Sequence, residues 1–263
     1  MTKSRTRNRS HSAPFHGKQK NSGNDSWLWG HHAVTAALQN PDRILKKLVM
    51  TRNAAARMDG LTLQYEDMAP EAIDRLLPAG AVHQGVAASF EPLAPLAIED
   101  IIDGPAQRVV VLDQITDPHN LGAIFRSASA FGFSAIILQT RNTPPITGIV
   151  AKSAAGAIET VKECRVVNVS RTLQHLADGG FHTVGLSGDG DTPIVKAVAN
   201  ANRLAIILGA EGAGLRHGVA NACAELAHIP IAAEMESLNV SNAAAIAFYE
   251  AARTAPKIGQ APH

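Results

Sequence analysis

Residues 108–128 read RVVVLDQITDPHNLGAIFRSA, and this stretch decides the fold. Arg108-Val109-Val110-Val111-Leu112 is a short unbroken apolar run rich in β-branched residues, the pattern of a strand buried on both faces. Asp117-Pro118 makes an N-cap and N1 pair, so a helix is predicted to start there. Leu121, Ile124, Phe125 and Ala128 then space out as its buried stripe, and Gly132 ends it. Working outward, the same alternation recurs. Ala135-Ile136-Ile137-Leu138 and Leu204-Ala205-Ile206-Ile207-Leu208 are further strands, with weaker candidates at 165–169, 182–186 and 227–231. A last helix is expected over 242–253, after a Ser/Asn-rich start. Apolar runs alternating with helices predict an α/β fold built on a parallel sheet.

Upstream, residues 27–90 read as a smaller α/β unit. Helices are expected over 30–38 and 70–77, and strands over 47–51 and 82–90, the latter broken by Gly85. Residues 91–106 carry Pro92, Pro95, Gly104 and Pro105, the composition of a linker. The expected organisation is therefore a tail over 1–26, a small domain over 27–90, a linker over 91–106, a larger domain over 107–255 and a short tail over 256–263.

Composition narrows the function classes. With 46% hydrophobic residues in a chain of 263, there is enough apolar material for sizeable cores. Mean hydropathy is +0.00, and no apolar run approaches the roughly 18–20 residues that cross a bilayer, so no membrane partner and a cytoplasmic location are expected. Cys164 and Cys223 are the only cysteines and lie far apart, which argues against a disulfide framework and structural zinc. The eleven histidines form no HExxH pattern, so no metal is expected. The net charge of +1 is unevenly spread. Lys3, Arg5, Arg7, Arg9, Lys18 and Lys20 face Asp25 alone, so residues 1–26 carry +5 and the remainder −4. That tail lacks the apolar segment of a secretory signal and the amphipathic pattern of a mitochondrial presequence, so a disordered basic arm is expected. It suits contact with a phosphate backbone, or serves only solubility.

Three segments are unusual for a plain α/β core, and each follows a predicted strand. The first, Asp113 to Ala128, leaves Asn120 in the first helical turn and Arg126 off the buried stripe; read alone it is also an ordinary capped helix. The second is Gly209-Ala210-Glu211-Gly212-Ala213-Gly214-Leu215. No Gly-Lys-Ser/Thr follows, so it is not a P-loop, and its glycine order and late position exclude a dinucleotide fingerprint. The third runs from Ile229-Pro230-Ile231 to Met235-Glu236-Ser237-Leu238-Asn239-Val240-Ser241-Asn242, with more short polar side chains than one helix start requires. Lys152, just before Ser153, reads either as part of a loop-helix region that faces RNA or as a solvated surface lysine.

Together these segments resemble the hallmark motifs of the SpoU (TrmH-like) branch of the SPOUT RNA methyltransferases, over about residues 108–253. Trp29-Gly30-His31-His32-Ala33-Val34 and His83-Gln84-Gly85-Val86-Ala87-Ala88 are similar to the opening and closing of that branch's small, ribosomal-protein-like RNA-binding domain. The resemblance implies a deep trefoil knot in the C-terminal part of the sheet, a homodimer, and S-adenosylmethionine as methyl donor with no metal. It places Gly209, Ile229 and Leu238 against the donor. Asn120, Arg126, Glu211, Ser237 and Asn239 would surround the transfer of a methyl group to a ribose 2′-oxygen. Asn120, Ser237 and Asn239 would position ribose and loops, and Glu211 would organise the pocket and orient Arg126. Arg126 is either the general base or an electrostatic clamp. A guanosine ribose of 23S rRNA is the substrate the N-terminal unit favours, with a tRNA or other rRNA ribose as the alternative. A non-catalytic RNA-binding assembly factor and a nucleotide-dependent oxidoreductase are readings from other classes; the glycine order argues against the second.

Overall fold

The computed structural model describes residues 27–58, 63–199 and 201–254. The expected basic arm and C-terminal tail lie outside these residues. The chain first forms β1 (Trp27–Trp29), α1 (His31–Gln39), β2 (Leu45–Met50), α2 (Arg52–Ala55), β3 (Glu66–Asp67), α3 (Pro70–Asp74) and β4 (Val86–Phe90). These strands make a four-stranded sheet of order β1-β4-β2-β3, antiparallel except where β2 meets β3. The strand predicted over 82–90 begins only at Val86, because Gln84 and Gly85 take φ values of 58° and 83° and form a turn.

Residues 98–102, inside the Pro-rich stretch, form a short helix, α4 (Ile98–Ile102), whose Ile101 is buried. The second half then runs β5 (Arg108–Leu112), α5 (Pro118–Ala130), β6 (Ala135–Gln139), α6 (Gly148–Ala154), a 3-10 turn at Ala157–Glu159, β7 (Lys162–Val166), α7 (Val169–Asp178), β8 (His182–Leu186), β9 (Thr192–Pro193), α8 (Ile194–Ala197), β10 (Leu204–Leu208), α9 (His217–Ala220), β11 (Glu225–His228) and α10 (Val240–Thr254). Its strands form one parallel sheet of order β7-β6-β5-β10-β8-β11-β9.

Period-two alternation explains the unbroken apolar runs. Val110, Leu112, Ile136, Leu138, Ile206 and Leu208 point to one face, where α5, α6, α8 and α10 pack on them. Val109, Val111, Ile137, Ala205 and Ile207 point to the other and meet α4, α7 and α9. Each of the Val, Leu and Ile side chains, fully buried, contributes roughly 1.5–3 kcal/mol. Gly122 lets α5 and α6 touch: a Cβ there would stand 2.4 Å from Cβ of Ser153 and 2.7 Å from the Val150 carbonyl oxygen.

The small sheet is not a separate body. Its Leu48, Met50, Ala88 and Phe90 belong to the same core as Leu112 and Phe125. Trp27 and Trp29 form a further cluster with Ile73 and Leu77, against which Ile149 of α6 packs. Between the two halves, Arg43 donates from Nε and Nη2 to Glu159 at 3.0 and 2.9 Å, and Asn40 Nδ2 donates to the same carboxylate at 2.7 Å. The Arg43 and Glu159 side chains are 8% and 4% exposed.

Candidate active site

Loops leaving the carboxyl ends of β5, β10 and β11 carry the three unusual segments, and open parallel sheets bind ligands at that edge. Just past β5, Asp113 is fully buried, and its carboxylate accepts from Arg216 Nε at 2.9 and 3.1 Å and from Arg216 main-chain N at 3.2 Å. A carboxylate removed from water needs such compensation. The hydrogen bonds that Arg216 donates to Asp113 in turn raise the Arg216 pKa. The pair staples the loop after β10 to the end of β5.

That loop is a tight turn. Ala210 N donates to Gly214 O at 3.0 Å, and Gly214 N to Ala210 O at 2.8 Å. At Gly209 a Cβ would lie 2.1 Å from the Gly214 carbonyl carbon and 2.4 Å from Leu215 N, so the turn closes only on glycine. Glu211 sits exposed at its tip. Its carboxylate has no ion pair among the described residues.

Asp117 caps α5 by accepting from His119 N at 2.9 Å, which sets Asn120 in the first turn. Opposite it, Asn239 starts α10. Its Oδ1 accepts from Ser241 N at 2.9 Å and from Ser241 Oγ at 2.6 Å, and its Nδ2 donates to Asn120 Oδ1 at 3.1 Å. The structure thus brings Asn120 and Asn239, 119 residues apart, into direct contact. Ile229 and Leu238 are half-buried on the connecting segment, Ile229 against the main core. Ser237 is exposed. Arg126 is exposed on α5, and neither it nor Ser237 has a hydrogen-bonding side-chain partner among the described residues. Arg126 and Glu211 are not paired with each other in the single chain.

The donor set fits S-adenosylmethionine. Gly209 is half-buried at the turn after β10, Ile229 and Leu238 offer apolar surface, and Ile231 and Met235 on the same segment are 40% and 58% exposed. Among the described residues no group of three or more His, Cys, Asp or Glu side chains is placed to hold a metal ion.

Three contacts at the site have little or no local signature in the sequence. The Asp113–Arg216 pair was signalled only by an acid directly after an apolar strand. Ser153 Oγ lies 3.3 Å from His119 Nδ1, a contact with no local pattern. Lys152 is not a freely solvated lysine: it is half-buried and donates from Nζ to Gln84 Oε1 at 3.0 Å, because α6 packs against the turn before β4.

Comparison with known proteins identifies the family. The SpoU rRNA methylase family model matches residues 107–249, and a model described as RNA 2'-O ribose methyltransferase substrate binding matches residues 27–96. The 23S rRNA (guanosine-2'-O-)-methyltransferase RlmB of Vibrio vulnificus (strain CMCP6) is 37% identical over 243 residues, spanning 87% of this chain and 97% of that protein. RlmB of Escherichia coli (strain K12) is 34% identical, spanning 86% and 97%. The AdoMet-bound rRNA methyltransferase from Sinorhizobium meliloti superposes with a TM-score of 0.73 at 26% identity, covering 86% of each chain. The SpoU methyltransferase AviRb from Streptomyces viridochromogenes, at 23% identity and a TM-score of 0.73, covers 86% of this chain and 89% of its own, and shares the fold. The family models and relatives define an RNA 2'-O-ribose methyltransferase on an α/β fold. The chain belongs to the SpoU rRNA methylase family.

Proposed function

We propose that this protein transfers the methyl group of S-adenosylmethionine to the 2′-oxygen of a guanosine ribose in 23S rRNA. The observation that carries the reading is the Asn239–Asn120 hydrogen bond, which closes the segment after β11 onto the first turn of α5. Relatives of nearly the same length, 34–37% identical, are guanosine-2'-O-methyltransferases of 23S rRNA, and they supply the substrate.

The methyl donor, when bound, supplies an electrophilic sulfonium methyl. The chain's own residues must align a poor nucleophile and stabilise it as its proton leaves. Asn239 fixes the Asn120 carbonyl, so the Asn120 amide N–H groups remain to donate to a ribose oxygen. Ser237, on the same segment, offers a hydroxyl beside it. Arg126 is assigned the electrostatic role: a guanidinium carries N–H donors and no acceptor, which suits it to stabilise phosphate and developing alkoxide charge. Gly209, Ile229 and Leu238 hold the donor.

Two further parts of the reading rest on the same site. Arg126 and Glu211 both stand exposed, and α10 presents Ile246 and Tyr249 at 38% and 51% exposure, which supports a homodimer in which a second copy completes the constellation. The return of residues 229–239 to the crevice supports the knotted C-terminal segment. No helix among the described residues is long and apolar enough to cross a membrane. A cytoplasmic location is part of the proposal and follows from the proposed 23S rRNA substrate.

The test is methyl transfer from labelled S-adenosylmethionine to undermethylated 23S rRNA and, separately, to bulk tRNA. Label in a 23S guanosine ribose is expected. Label in tRNA alone would overturn the substrate, and label in neither would favour a non-catalytic RNA-binding role.

A further inference from the structure

Lys152 occupies an environment that holds a cation in place without neutralising it. Lys46, Lys47 and Lys162 each face a carboxylate, at 3.6, 2.8 and 3.1 Å. Lys152 faces none among the described residues. Its Nζ donates to Gln84 Oε1 at 3.0 Å, the same oxygen that accepts His31 main-chain N–H at 3.2 Å. An ammonium has three donors, so one neutral acceptor leaves two donors and the full charge unanswered. Burial lowers its pKa, the sign of a charge that lacks a counterion.

The surroundings fix this ammonium. Gln84 is held at φ 58°, a left-handed conformation that a non-glycine residue rarely adopts. The turn is braced by buried His83, whose Nδ1 accepts from Gly85 N at 3.0 Å and whose Nε2 lies 3.3 Å from Asp74 Oδ1. Gly30 leaves the space: a Cβ there would lie 2.3 Å from the Lys152 Nζ. On the other flank Ser153 contacts His119, the residue before Asn120. The ammonium therefore stands between the small sheet and the candidate active site.

We propose that Lys152 is a phosphate clamp, binding one backbone phosphate of the RNA where the strand crosses from the small sheet to the ribose at Asn120, with Gln84 positioning the ammonium. The proposal rests on the RNA-methyltransferase reading above. A phosphodiester supplies what the site lacks, a full negative charge with acceptor oxygens for two free donors. Such a contact fixes the register of the strand and carries no base preference.

The test compares full-length wild type with Lys152→Gln, Lys152→Arg and the control Lys196→Gln, an exposed lysine on α8 next to the opposite edge of the large sheet. The probe is a 23S rRNA fragment, with binding measured across a salt series alongside steady-state methyl transfer. Lys152→Gln is expected to weaken binding about three- to tenfold and to reduce the slope of log K against log salt by about 0.7–0.9, one phosphate contact. It should raise KM far more than it lowers kcat and leave S-adenosylmethionine affinity as in wild type. Lys152→Arg should restore the slope, and Lys196→Gln should keep it. A wild-type slope and KM in Lys152→Gln would overturn the clamp. So would an equal loss in Lys196→Gln, or lost donor binding with a lowered melting temperature, which would make Lys152 structural. If wild type neither binds nor methylates the fragment, the enzyme reading itself fails and takes the clamp with it.

Discussion

Asn239 and Asn120, far apart in the chain, share a 3.1 Å hydrogen bond that joins the start of the last helix to the first turn of α5. The same Asn239 caps its own helix through Oδ1. One amide therefore does two jobs with different atoms, and substitution can separate them. Asn239→Asp retains the capping oxygen and loses the donor to Asn120; methyl transfer should fall while the melting temperature holds. Asn239→Ala loses both, and urea unfolding should register a further loss of about 1 kcal/mol. Equal stability loss in the two variants would refute the division of roles.

Arg126 projects from α5 with no partner among the described residues. Arg126→Ala should therefore leave the fold within about 0.5 kcal/mol of wild type. If its guanidinium stabilises charge in the transition state, kcat should drop about a hundredfold to a thousandfold, with little change in S-adenosylmethionine affinity. Single-turnover methyl transfer and calorimetric titration of the donor measure the two sides.

Gly209 has no room for a side chain, since an added Cβ would fall 2.1 Å from main-chain carbon of Gly214. Gly209→Ala must displace the turn after β10. S-adenosylmethionine binding is expected to weaken by at least about tenfold, or about 1.4 kcal/mol, in calorimetric titration. Wild-type affinity would remove Gly209 from the donor site.

The Arg43–Glu159 pair is almost wholly buried. Glu159→Ala strands a buried guanidinium and should lower unfolding free energy by about 3–5 kcal/mol, whereas the double variant Arg43→Met/Glu159→Leu should recover most of the loss. Chemical denaturation of the three proteins decides this.

Burial pushes the Cys164 thiol up to about 11 and the Cys223 thiol up to about 12. At pH 8 only about one in a thousand and one in ten thousand would be ionised, so both should react with iodoacetamide far more slowly in the native protein than in denaturant. Their folded pKa values lie above the unfolded value of 9.0. The stability they contribute is therefore complete below about pH 9 and declines as pH rises toward 11 and 12. Rapid native alkylation of either would contradict its burial.

The strands at the centre of the large sheet were legible because burial on both faces writes an unbroken apolar run, as in Val109–Leu112 and Leu204–Leu208. The start of α5 was legible because Asp117-Pro118 is local chemistry. The small edge strands were not: β3 is only Glu66–Asp67, both exposed, and β9 only Thr192–Pro193, so neither has an apolar pattern to read. α4 hid among prolines because only Ile101 needs to be buried there. In the site, residue types flagged Asn120 and Asn239, while their contact, the Asp113–Arg216 staple and the Lys152–Gln84 bond arise from tertiary packing across 68 to 119 residues.

The core that runs from Leu48 and Met50 through to Leu112 and Phe125 also sets a length. A hinge between the two sheets would have to open apolar surface to water and break the Arg43–Glu159 pair, so the small sheet and the reacting loops keep a constant separation. The molecule acts as a caliper. If the small sheet grips the RNA as proposed, the span from grip to ribose is set by the fold and not by a hinge.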